Sequence, residues 1–177
     1  MSELYSRAPY VSDRDRVQLD AEGSIQYGMY YWDDNYPDSH VFAEGECLRK
    51  TFDPDFMLYH TMAVDEWGHM KGADSAEYAN AVAAVGHLIA ARMPEWLEKG
   101  YQVVVTADHG MNNLGIHVGT EHAQREVALY IFSDKVENGR FEENYISQLN
   151  VAPLVCKLMG VPATEGMKQE LEILFSK

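Results

Sequence analysis

The sequence predicts an α/β fold: a mostly parallel sheet with helices on its faces. Three observations carry that reading. Apolar runs at 56–64, 103–107 and 127–132 each read as a strand. An alanine-rich stretch at 75–92, with Tyr78, Val82, Val85 and Ile89 at helical spacing, separates the first two. A second amphipathic stretch, 146–159, follows the third. The order strand, helix, strand, loop, strand, helix is that of a layered α/β domain.

The elements follow in chain order. Residues 1–37 are polar, tyrosine-rich and irregular, with a candidate strand at 24–32 from its Tyr and Trp content. Asp33-Asp34-Asn35 and Pro37 end it. Asp38-Ser39 offers a cap for a helix through Lys50. Residues 52–55 are a turn, and 56–64 a buried strand. Asp74 or Ser75 caps the helix at 75–92, which reaches Pro94 and adds a turn before Gly100. After the strand at 103–107 comes a long polar loop, 112–125, and then the strand at 127–132. The helix at 146–159 stops at Gly160, and a last helix is expected at 165–175.

The length, 177 residues, suits a single domain with its own core. The net charge of -14 argues against a nucleic-acid polymer or an anionic membrane as partner. Cys47 and Cys156 fit no metal or redox spacing and read as reduced thiols. No apolar run is long enough to span a bilayer and the N-terminus is no signal peptide, so a cytoplasmic chain is expected if Met1 is the natural start.

The chemistry concentrates at two strand ends. The run at 56–64 is followed by Asp65-Glu66-Trp67-Gly68-His69, and that at 103–105 by Thr106-Ala107-Asp108-His109-Gly110-Met111. Ligands of open α/β sheets bind at that edge. Asp65 and His69 share one face if the chain turns helical there. Gly110 lets the adjacent Asp108 and His109 leave the strand and converge. Imidazole with carboxylate suits zinc, manganese or iron better than calcium. His60, His87 and His40 read as packed or solvated side chains.

Four stretches carry a resemblance: AVDEWGH (63–69), VVVTADHGM (103–111), GIHVGTEHAQREVALYIF (115–132) and ISQLNVAPLVCKLMGVP (146–162). In this order they resemble the C-terminal half of the alkaline phosphatase superfamily, in its type I phosphodiesterase/nucleotide pyrophosphatase branch. The resemblance covers roughly residues 40–165. It implies two divalent metals, zinc foremost, with manganese or iron possible. Asp65, His69 and His117 would hold the first, and Asp108 and His109 the second. His117-Val118-Gly119 resembles the branch's His-Gly-Gly; His122, by its distance to Val127, is the alternative third ligand.

The resemblance also implies a metal-dependent phosphoric ester hydrolase with a small-molecule phosphate-ester substrate. The family's nucleophile, a Thr or Ser in its first half, has no counterpart here. The chain is therefore expected to be the metal-binding part of a larger catalytic domain, inert alone, and able to form a homo-oligomer through its exposed sheet face. A phosphomutase, phosphonoacetate hydrolase or phosphoethanolamine transferase of the same superfamily is the alternative within enzymes. A non-catalytic metal-binding module is the alternative outside them.

Overall fold

The computed structural model describes residue 11 and residues 16–31, 33, 35–140, 145–167 and 173. In chain order the elements are β1 (Val17–Leu19), β2 (Tyr27–Met29), α1 (Asp38–Phe52), α2 (Ala63–Lys71), α3 (Ala76–Glu98), β3 (Val103–Val105), the single turn α4 (His122–Arg125), β4 (Tyr130–Phe132) and α5 (Val151–Met159). A 3-10 turn, Gln148–Asn150, leads into α5. The expected helix at 165–175 lies largely outside the described residues, as does Trp32 of the candidate strand at 24–32. No helix among the described residues is long and apolar enough to cross a membrane.

The chain forms two compact units, residues 1–91 with 109–126 and residues 92–108 with 127–177. In the first, β1 and β2 form an antiparallel hairpin with Val17 opposite Met29. Its turn is closed by Asp20, whose Oδ1 accepts the Glu22 N–H at 3.1 Å. Helix α1 grips the segment ahead of α2. The Phe42 and Tyr59 rings stack at 5.2 Å, and the Tyr59 hydroxyl donates to Glu46 Oε1 at 3.1 Å. Gly45 permits this approach, because a Cβ there would fall 2.1 Å from Tyr59 Cε1.

Two expectations are corrected. The apolar run at 56–64 is not a strand: residues 56–62 pair with no strand among the described residues, and helix α2 already starts at Ala63. Phe56 and Leu58 stay 55% and 67% exposed, so the run does not enter a core. The acidic first turn, Asp65 and Glu66, suits a helix N-terminus and ends the run early. The mostly parallel sheet is not found either. Both described strand pairs are antiparallel, β3 with β4 in the register Val103 to Phe132. A parallel partner normally follows a crossover helix, and the connection from β3 to β4 holds only the four-residue α4.

The second unit buries Leu154, Leu158 and Ile173, with Val104, Leu129, Ile131, Val136 and Ile146 packed around them. Helix α5 closes on a left-handed Gly160, whose N–H returns to the Cys156 and Lys157 carbonyls. Leu154 is fully buried at 0% exposure. Leu154→Ala is expected to destabilise this unit by about 2–4 kcal/mol, the ordinary loss for a buried leucine. Urea denaturation followed by circular dichroism checks it, and a loss under about 1 kcal/mol would show that the site collapses around the gap.

Candidate metal centre

Helix α2 supplies the first two groups. Asp65 and His69 lie one turn apart on one face, and His69 Nε2 stands 3.4 Å from Asp65 Oδ2. The other ring nitrogen of His69, Nδ1, is 2.8 Å from the Gly115 carbonyl. A carbonyl only accepts, so Nδ1 carries the proton and Nε2 keeps its lone pair toward Asp65.

Gly115 is what brings that carbonyl within reach. Its φ is +74°, and a Cβ would lie 2.7 Å from the His69 carbonyl oxygen and 2.9 Å from that of Gly68. A side chain there is excluded twice, by conformation and by the α2 backbone. The loop around it is pinned by Asn112, only 8% exposed. Asn112 Oδ1 accepts the N–H groups of Leu114 at 3.0 Å and Ile116 at 2.9 Å. The Asn112 carbonyl accepts the Ala73 N–H at 3.1 Å, just past the end of α2. Gln124, also buried, donates from Nε2 to the Ile116 carbonyl at 3.2 Å, while its Oε1 accepts the Glu121 N–H in a capping box.

That scaffold fixes His117, the residue after Ile116. Its Nε2 lies 4.0 Å from Asp65 Oδ1. One ligand atom each from Asp65, His69 and His117 falls within 4.8 Å of the others. His109 joins them, with Nε2 3.8 Å from Asp65 Oδ1 and Nδ1 3.0 Å from the Gly110 carbonyl. Its proton is thereby assigned to Nδ1, as in His69. The His109 and His117 rings stack at 3.8 Å and 15°.

The electrostatics centre on Asp65. Its Oδ1 is buried and has no hydrogen-bond partner. A buried acceptor left unmade costs about 1–3 kcal/mol, more if charged. Nε2 of His109 and of His117 stand 3.8 and 4.0 Å away, beyond hydrogen-bond distance, and do not satisfy it. A cation among them would, so the donor set fits a divalent metal. The Tyr78 hydroxyl is held above its ordinary pKa, first by burial and then by the negative charge of Asp65.

Of the residues expected at the site, Asp65, His69, His109 and His117 come together in the first unit. His122 does not join them: its side chain is 89% exposed and its Nδ1 pairs with Glu126, just past the end of α4. Asp108 is exposed and belongs to the second unit, where its backbone carbonyl accepts from Gln148 Nε2 at 3.0 Å. Asn112, Gln124 and Gly115 carry no metal-ligand chemistry that marks them in the sequence. Only Gln124 had a signal, the Glu121-x-x-Gln124 spacing of a capping box.

Comparison with known proteins gives the family. Residues 6–151 match the description "Type I phosphodiesterase / nucleotide pyrophosphatase". The chain belongs to this family. Among curated relatives, it is 27% identical over 157 residues to a GPI ethanolamine phosphate transferase 3, catalytic subunit, of Mus musculus, covering 84% of this chain and 14% of that protein. The human protein of the same name is 29% identical over 115 residues, covering 63% of this chain and 10% of that protein. A 2,3-bisphosphoglycerate-independent phosphoglycerate mutase of Wolinella succinogenes is 31% identical over 121 residues, covering 66% of this chain and 23% of that protein. The chain thus spans a minor part of each relative's length. No solved structure matches it.

The geometry separates the two loop histidines. His117→Ala is expected to weaken zinc binding by about a hundredfold, and His122→Ala by less than about twofold. Calorimetric titration of zinc into each variant checks this. The reverse ranking would hand the ligand role to His122.

Proposed function

We propose that this member of the phosphodiesterase family supplies the metal centre of an enzyme that cleaves phosphate esters by phosphoryl transfer. The observation that carries the reading is the buried Asp65 Oδ1 without a hydrogen-bond partner, facing imidazole nitrogens at 3.8 and 4.0 Å. Asp65, His69 and His117 would hold one ion, with zinc the first choice and manganese or iron the alternatives. A bound ion would supply Lewis-acid polarisation of a phosphoryl oxygen. The residues themselves orient and desolvate. The Gly115 and Gly110 carbonyls accept from Nδ1 of His69 and His109, which presents Nε2 of each ring toward Asp65. From the sequence pattern, Asp108 and His109 are proposed as ligands to a second ion.

The charge of -14 looks unsuited to an anionic phosphate. Divalent ions held at Asp65 would invert the local field, so the conflict lies only in the chain average. A second reading concerns the acceptor. The transferase names of the mouse and human relatives favour transfer of an ethanolamine phosphate group over hydrolysis by water.

Phosphate itself is the simplest probe. The zinc-loaded chain is expected to bind inorganic phosphate, and the metal-free chain is not. Asp65→Asn should weaken zinc binding at least about tenfold and abolish phosphate binding with it. Phosphate binding that survives removal of the metal, or that fails with zinc in place, would count against the reading.

A further inference from the structure

We propose, on the strength of the metal reading above, that Asp38 is a positioning residue for the centre: it caps α2 from the start of α1 and so holds Asp65 in place. Helix α2 has no cap of its own, since Met62 at its N-cap position makes no side-chain capping bond. The first backbone N–H groups of a helix have no partner within it. Asp38 Oδ1 accepts two N–H groups at this end, from Met62 at 3.1 Å and Ala63 at 3.4 Å. The acceptor lies 24 residues earlier in the chain and is only 8% exposed.

A buried acid at this place has a physical rationale. Asp38 opens α1, next to the N-cap Pro37, and its side chain reaches the N-terminus of α2. Both helix ends carry partial positive charge, which favours an acidic side chain between them. The consequence for the metal centre is geometric. Asp65 lies in the first turn of α2, two residues past Ala63. That turn frays first when a cap is lost. The same α1 also holds Tyr59 through Phe42 and Glu46. The approach to Asp65 is thus fixed at residue 59 and again at residues 62 and 63. With the cap removed, Asp65 loses its fixed distance to His69, His109 and His117, and metal binding must first re-order the turn.

The test titrates zinc into the full chain, D38A, D38L and D38N, and follows amide exchange at residues 62–66. D38A removes the acceptor. D38L removes it while filling the volume, and serves if D38A does not fold. D38N keeps an oxygen where Oδ1 sits. D38A and D38L are expected to bind zinc about tenfold more weakly and to exchange faster at 62–66, with D38N within about twofold of wild type in both. Faster exchange with zinc affinity unchanged would overturn the positioning role, leaving Asp38 a helix cap only. D38N as weak as D38A would overturn the capping mechanism. Failure of the wild-type chain to take up zinc would sink the metal reading before any variant is compared, and the role of Asp38 with it.

Discussion

One carboxylate oxygen organises the first unit. Asp65 Oδ1 is buried without a hydrogen-bond partner, and imidazole nitrogens of His109 and His117 stand 3.8 and 4.0 Å from it. Such an atom costs about 1–3 kcal/mol in a finished fold unless something positive meets it. The surrounding structure does not relieve that cost by offering a donor. It brings three imidazoles up to the same carboxylate. His69 and His109 each donate their Nδ1 proton to a backbone carbonyl, leaving Nε2 turned toward the carboxylate. A cation bound there would meet Oδ1 and offset that cost.

The loop from Asn112 to Gln124 is the second half of the same device. Two buried amides, Asn112 and Gln124, replace the missing secondary structure by bonding the loop's own backbone. Buried amides of this kind are stabilising only when satisfied, and these are. Their effect is to make the position of His117 as definite as if it lay on a helix. The closeness of Gly115 to the α2 backbone joins the loop to the helix that bears Asp65 and His69.

The sequence was most legible where the interaction is local. The Asp65 and His69 pair follows from helical spacing alone. Helices α3 and α5 follow from periodicity and α1 from the Asp38-Ser39 start signal, and Gly160 marks a stop that the structure keeps. Strand character was misjudged at 56–64, because an apolar run does not say whether a partner strand exists. The direction of β4 does not follow from element order alone: the β3–β4 connection holds only the four-residue α4, and the pair is antiparallel. Hairpin β1–β2 was missed in part, since Gln18 and Gln26 dilute any alternation and its turn rests on Asp20. The choice between His117 and His122 could not be made from spacing. It depends on Gly115 and Asn112, whose roles are tertiary. The grouping of His109 with Asp65 is likewise a contact across 44 residues that no local pattern encodes.

The central claim is that a metal ion satisfies Asp65. Anomalous X-ray scattering at the zinc edge, from crystals of the zinc-loaded chain, tests it most directly. The account predicts an ion roughly 2.0–2.2 Å from a carboxylate oxygen of Asp65 and from Nε2 of His69 and His117. Zinc bound elsewhere, with Asp65 Oδ1 accepting a hydrogen bond from the protein, would contradict it.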